Sequence, residues 1–232
     1  MIQKGINSIL SMIPVLTIDG PSGVGKGTVA NIVAAKLKWY ILDSGAIYRA
    51  FALAASKRNI QIENTGQLLE LASTLNLNFE PDSANNALGV YLDNQEVSSE
   101  LRTEKTAELA SKFAMIGQLR ESLLVRQQDF RQLPGLVADG RDMGTVVFKD
   151  APFKVFLTAN AEERAKRRLK QLHQRGIAGN ISHTLEDVKK RDERDASRKH
   201  SPLKPSKEAL IIDTSDLTVS EVVTKVMALV KV

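Results

Sequence analysis

Residues Gly20-Pro21-Ser22-Gly23-Val24-Gly25-Lys26-Gly27-Thr28 decide how this chain is read. The spacing Gly20-x-x-x-x-Gly25-Lys26 is the core of a phosphate-binding loop. Glycines let backbone N–H groups turn inward around phosphate oxygens, and a following helix aims its positive N-terminus at the same anion. Lys26 adds a mobile cation for the terminal phosphates of a nucleoside triphosphate. The flanks supply the context such a loop needs. Residues 15–19, VLTID, form an apolar, β-branched run that reads as a buried strand. Behind the loop, Val29, Ile32, Val33 and Leu37 recur at helical spacing. Strand, glycine loop and helix in that order make a chance glycine-rich turn the poorer reading.

Outward from the loop the chain alternates. A second strand is expected at 39–42, then a loop Asp43-Ser44-Gly45 and a helix over 47–57. Leu68, Leu69, Leu71, Ala72 and Leu75 give residues 61–75 an amphipathic helical pattern. Residues 76–97 change character. There 77–79 and 90–92 flank a polar stretch with Asp82 and Asn85-Asn86, as in a small β insertion. A polar-rich helical stretch covers 103–131 and ends at Leu133-Pro134-Gly135. Strands are expected at 136–138, running into Asp139-Gly140, at 154–157 and at 209–212, with a closing helix over 219–230. Between the last two strands lie two highly charged helices, 161–175 and 184–199, whose charge makes them poor core elements. This alternation predicts an α/β fold, a five-stranded parallel sheet core flanked by helices, with ligands beyond the carboxyl ends of the strands.

Bulk composition narrows the class. The 232 residues are 43% hydrophobic and 25% charged, ordinary for a globular protein that buries a core without staples. With no Cys there is no disulfide or thiolate metal site, which agrees with a cytoplasmic home. His173, His183 and His200 have no metal-site spacing. A formal charge of +5 suits anionic partners, nucleic acid or small phosphates, without choosing between them. Basic residues interleave with acids, however, and only 5% of residues are aromatic, so no stacking surface for nucleic acid is apparent. A nucleic-acid-associated P-loop ATPase is therefore the weaker alternative. No apolar run approaches the ~18–20 residues of a membrane span. Residues 1–11, interrupted by Asn7, Ser8 and Ser11, make a poor signal peptide and are expected to be an N-terminal extension. No long apolar stripe is left unassigned, so a monomer is expected.

The loop's ending carries further information. Gly27 stands where Ser or Thr commonly holds Mg²⁺, and Thr28 comes one place later. Gly25-Lys26-Gly27-Thr28 resembles the nucleoside monophosphate kinases, in which Mg²⁺ is held largely through nucleotide and water oxygens. Other segments extend the likeness: LDSGAIYR around Asp43 to Arg49, LPGLVADGRDMGTVVF around Asp139 to Thr145, and RDERD with Arg191, Asp195 and Arg198 at i, i+4 and i+7 of one helical face. Together with the β insertion, they make the chain resemble the bacterial cytidylate kinases from residue 15 nearly to its end. The resemblance implies a single P-loop kinase domain over 12–232, with core segments 12–43, 132–160 and 200–232. It further implies an enlarged NMP-binding insert at about 44–131 and a helical lid at about 161–199. ATP with Mg²⁺ is the implied donor, and CMP or dCMP the implied acceptor; UMP or AMP is the nearest alternative acceptor.

Physical chemistry agrees with that reading. A monophosphate is largely dianionic near neutral pH, its second pKa being ~6. The attacking oxygen is already charged and needs no general base. Bringing two anions together instead requires Lys, Arg and Mg²⁺, and Arg suits the work through its planar fork and permanent charge. The resemblance then implies roles by residue. Gly20, Pro21, Ser22, Gly23, Val24, Gly25, Lys26, Gly27 and Thr28 bind ATP. Arg49 and Arg141 clamp the acceptor phosphate, and Ser44 lies beside the acceptor nucleotide. Ser111, Arg120 and Asp142 read the cytosine edge, while Arg191 and Asp195 hold the sugar. Lys26, Arg141, Arg191 and Arg198 serve the transferred phosphate, and Asp139 organises Mg²⁺ through water. Blander readings stand beside these. Arg191 and Asp195 also fit a solvated i,i+4 pair, and Asp139 a turn cap. Ser111 and Arg120 also fit a polar surface helix, and Arg164, Arg167 and Arg168 either adenine contacts or helix solvation.

Overall fold

The computed structural model describes residues 13–82, 87–174, 176–199 and 201–230; the expected extension at 1–11, Asn85-Asn86 and His200 lie outside them. In chain order the elements are β1 (Val15–Asp19), α1 (Lys26–Leu37), β2 (Tyr40–Asp43), α2 (Ser44–Lys57), α3 (Thr65–Thr74), β3 (Leu77–Asp82), β4 (Ala87–Leu92) and β5 (Gln95–Glu96). Then follow α4 (Ser98–Leu101), α5 (Glu104–Phe113), α6 (Gly117–Gln128), β6 (Leu136–Gly140), a π-helix (Met143–Val147), β7 (Phe153–Thr158), α7 (Ala161–Gln174), α8 (Ile181–Ala196), β8 (Leu210–Asp213) and α9 (Val219–Leu229). The chain divides into two compact units: Asp43–Asp129, and the chain to Leu42 together with Phe130 onward.

The second of these holds the five-stranded parallel sheet in the order β2-β6-β1-β7-β8. This is the P-loop NTPase fold. β1 is central and buried at every position, which explains its unbroken apolar, β-branched run. Its register sets Ile18 beside Asp139 and Asp19 beside Gly140 on one side, and Asp19 beside Phe156 on the other. The carboxyl ends of β1, β6 and β7 are thus level, and the loops leaving them share one edge. Leu16, Ile18, Val29, Val33, Val137, Val155, Leu157, Val222 and Val226 form the core under that edge. Each such burial contributes about 1.5–3 kcal/mol. α1 packs on β6, and α9 on α1.

The Asp43–Asp129 unit has its own core. Phe51 of α2 meets Phe113 of α5 edge-on, with centroids 5.4 Å apart and planes at 81°. Leu68 and Leu71 of α3 and Leu119 and Leu123 of α6 are fully or nearly fully buried. The β insertion is the antiparallel sheet β3-β4-β5.

Several local expectations change. α2 begins at Ser44, not Ile47, because the Asp43 carboxylate accepts from Ala46 N at 2.9 Å and caps it. Asn64 caps α3 in the same way, starting it at Thr65. The stretch 103–131 is two helices, since Ile116 is extended and Gly117, a poor helix former, opens the second. The π-helix carries no sequence signal that was read. α8 stops at Ala196, so Arg198 lies beyond the helix on which it was placed. Among the described residues no helix is long and apolar enough to cross a membrane.

Candidate active site

The phosphate loop connects β1 to α1. Gly20 has φ +149°, and a Cβ there would stand 2.2 Å from the Leu157 carbonyl oxygen, so only glycine fits against β7. Gly25, at φ 92°, is the N-cap of α1 and brings no side chain to it. The first N–H groups of the helix are therefore open to an anion. Lys26 is buried, its Nζ donating to Pro21 O at 2.9 Å and lying 3.9 Å from Asp139 Oδ1.

Beside this loop, in the same unit, is an arginine cluster built on one carboxylate. Asp195 near the end of α8 is 1% exposed. Arg141 Nε donates to its Oδ2 at 2.9 Å, and Arg198 donates to its Oδ1. Burial pushes the Asp195 carboxyl up, yet Arg141, Arg198 and Arg191 together hold it below its ordinary value. Burial likewise opposes the Arg141 charge, but Asp195, Asp139 and Asp19 hold that guanidinium above its ordinary value. A solvated surface pair is therefore the wrong picture for Asp195. Sequence spacing brought Arg191, Asp195 and Arg198 together; the contact of Asp195 with Arg141, 54 positions away, needed the fold.

Asp19 was missed as anything but the end of a strand. Its two oxygens accept from Met143 N and Gly144 N, each at 2.8 Å, and so hold the start of the π-helix that follows Arg141-Asp142. Desolvation outweighs these bonds and the nearby Lys26 charge, and pushes its pKa up to about 7. Arg164 was likewise misjudged. It is buried, donates to Ser22 O at 3.2 Å and Ala159 O at 3.0 Å, and makes a paired contact with Asp192 at 2.9 and 2.6 Å. It neither solvates a helix nor is open to an adenine. Arg167 donates to Thr214 Oγ1 at 3.0 Å, and Thr214 in turn to Val24 O of the phosphate loop at 3.3 Å.

In the Asp43–Asp129 unit, Ser44 and Arg49 share the first turns of α2. Arg49 pairs with Asp43 at 2.9 Å. Ser44 Oγ donates to the buried Gln127 at 2.7 Å. Arg120 is buried, its guanidinium 5.5 Å from the Tyr48 ring centroid and donating to Ala114 O at 3.3 Å. Ser111 is also buried, and its hydroxyl has no hydrogen-bond partner, an arrangement that costs about 1–3 kcal/mol unless a ligand supplies one. Neither residue belongs to a solvated surface. Gln127 was not singled out in the sequence; a polar residue on a polar helix carries no signal of its burial.

The residues present fit Mg²⁺ held mostly by oxygens that are not the protein's. No three metal-ligating side chains converge among the described residues. A Cβ at Gly27 would lie 3.4 Å from Asp139 Oδ2, so that carboxylate faces the place left open by the missing hydroxyl. The buried Asp139 carboxylate beside the phosphate loop suits an ion bound through waters and nucleotide oxygens.

Comparison with known proteins gives a consistent answer. The family model for cytidylate kinase matches residues 16–232. A cytidylate kinase of Aeromonas salmonicida is 49% identical over 217 residues, covering 94% of each chain. One of Colwellia psychrerythraea is 51% identical over 214 residues, covering 92% of this chain and 94% of its own. One of Escherichia coli is 49% identical over 214 residues, covering 92% and 93%.

Proposed function

The chain belongs to the cytidylate kinase family, and on that premise we propose how its residues divide the transfer of the γ-phosphoryl group of ATP to CMP or dCMP, which yields ADP and CDP or dCDP. Residues 20–28 bind the ATP phosphates through backbone N–H groups, with Lys26 on the terminal phosphates. Arg167, tied to the loop through Thr214, lies on the ATP side. In the Asp43–Asp129 unit Ser44, Ser111 and Arg120 serve the acceptor nucleotide. Asp142 serves its base, and Arg191 and Asp195 serve its sugar. Arg49 and Arg141 take the acceptor phosphate. Arg141, Arg191 and Arg198 spread the negative charge that develops as the phosphoryl group passes between oxygens. Bound Mg²⁺, oriented through water by Asp139, would neutralise further phosphate charge. Residues 161–199 act as a lid that excludes water, which would otherwise accept the phosphoryl group. The protein works as a cytoplasmic monomer.

The observation that carries this reading is the buried Asp195 with Arg141 and Arg198 upon it, a cationic cluster prepared for anions before they arrive. An acceptor panel of CMP, dCMP, UMP, AMP and GMP with ATP tests the nucleotide, CMP and dCMP being expected to react best; a preference for AMP would sink the cytosine reading. Arg120→Met and Asp142→Ala test the division of labour. Each is expected to raise the KM for CMP far more than that for ATP, and equal losses would overturn the assignment.

A further inference from the structure

The bond between Ser44 and Gln127 joins two buried side chains 83 positions apart, with Ser44 Oγ donating to Gln127 Oε1 at 2.7 Å. Ser44 is 5% and Gln127 2% exposed, so water does not compete for either group. The orientation of the amide is settled by its other end. Gln127 Nε2 donates to Leu123 O at 3.2 Å. Turning the amide over would set its oxygen against that carbonyl oxygen and lose the bond. Gln127 therefore presents an oxygen to Ser44 and can only receive.

A hydroxyl has one proton and two lone pairs. With its proton committed to Gln127, Ser44 offers any third group lone pairs alone. We propose that Gln127 is a specificity-determining residue that acts through Ser44: by taking the hydroxyl proton it makes Ser44 an acceptor toward the substrate base. An acceptor at that place welcomes the exocyclic amino group of cytosine, a donor, and opposes the carbonyl oxygen that uracil carries at the same ring position. Without Gln127 the hydroxyl turns freely and serves either base, donating to uracil or accepting from cytosine. Preference for cytosine is then encoded in the direction of one buried hydrogen bond and not only in the groups that touch the ring. This rests on the placement of Ser44 beside the acceptor nucleotide.

The test is the ratio of kcat/KM for CMP to that for UMP in wild type, Ser44→Ala, Gln127→Met and the double variant. Methionine keeps the side chain's length and bulk while removing its acceptor. Gln127→Met is expected to lower the ratio roughly tenfold or more, in part through a gain on UMP, since a lost hydrogen-bond preference is worth about that factor. In the Ser44→Ala background the same substitution should leave the ratio unchanged, because its intermediary is gone. The double variant leaves no buried polar group unpaired at this place, which keeps the comparison open even where Gln127→Met alone folds poorly. A residue that merely supports the fold would not have its effect on base choice silenced by Ser44→Ala. A ratio lowered by Ser44→Ala but untouched by Gln127→Met overturns the proposal alone. A ratio untouched by Ser44→Ala overturns the proposal by removing Ser44 from the base, and an unchanged KM for CMP as well would remove it from the acceptor nucleotide.

Discussion

Asp195→Asn removes the charge on which Arg141 and Arg198 converge and changes almost nothing in volume. Asp195 is 1% exposed, the side chain of Arg198 6% and that of Arg141 18%. Breaking a buried ion pair from one side costs about 3–5 kcal/mol, because the partners stay buried and lose their counter-charge. Arg141 keeps some access to water and recovers part of its hydration, so the lower end, about 3 kcal/mol, is expected. At about 2–4 °C per kcal/mol for a chain of this size, the melting temperature falls by about 6–12 °C. The pH dependence has a defined sign. The Asp195 carboxyl is held below its ordinary value, so its contribution is present above the unfolded carboxylate pKa of about 4 and is lost as pH falls through the folded value. The variant therefore lies closest to wild type in acid and furthest from it near neutrality. Thermal unfolding at several pH values reads both effects. In the kinase assay kcat should fall for CMP and dCMP alike, since two arginines lose their anchor whatever the sugar. A melting temperature within about 2 °C of wild type at pH 7, with kcat intact, would refute the claim that this carboxylate holds the cluster.

Lys26→Ala should lower kcat by about 10²–10³, the scale of one lost charge-stabilising donor. Lys26 is buried, bonded to Pro21 O and 3.9 Å from Asp139, so its loss should cost about 1.5–3 kcal/mol of stability; unchanged turnover in the coupled assay would remove Lys26 from the mechanism. Asp19→Asn concerns stability against pH. Asp19 is raised from 3.8 to about 7 in the folded protein, so the folded state holds a proton that the unfolded chain has released. Stability is then lost as pH rises from about 4 through about 7, by at most on the order of 4 kcal/mol. The asparagine variant should show a flatter urea midpoint between pH 5 and pH 8, and parallel slopes would contradict the argument. Arg164→Met, which loses Asp192, Ala159 O and Ser22 O together, should cost about 3 kcal/mol, the lower end for a buried pair because Asp192 is partly exposed, and raise the KM for ATP. A lower melting temperature with an unchanged ATP KM would confine Arg164 to the fold.

What the sequence conveyed depended on the reach of each contact. The loop at 20–28 was legible because strand, glycines and helix are contiguous, and local rules suffice for all three. The five strands were legible because each reads as a short apolar run between loops, although only β1 and β6 are buried at every position. Asp19 was not, since its meaning lies in backbone groups 124 and 125 positions away. Gln127 was not, for the same reason at 83 positions. Arg164 misled in a different way: an arginine on a charged helix is exposed by default, and it is buried only because Asp192 of the neighbouring helix neutralises it. The break at 114–116 escaped because helical periodicity persists on both sides of it. Arg198 kept its partner but not its helix, because the turn after Ser197 still carries it back to Asp195.

The acids around the phosphate loop follow from the cations that this chemistry requires. Lys26, Arg141, Arg191 and Arg198 belong to one unit and repel one another when no nucleotide is bound. Left alone, they would splay into water, and each substrate would have to gather them again. Asp195 holds Arg141 and Arg198 by direct bonds, while Arg191 adds to the field that keeps it ionised. Asp139 stands 3.9 Å from Lys26. On the proposed division of roles, these carboxylates stand in for phosphate until nucleotide binds. Arriving nucleotides then add to a set of charges already in position, so little reorganisation is left for the moment of transfer. Asp19 is the exception that supports the rule. It answers backbone N–H groups, not an arginine, and its pKa is raised toward neutrality. Its work is to fix the chain that presents Arg141 and Asp142.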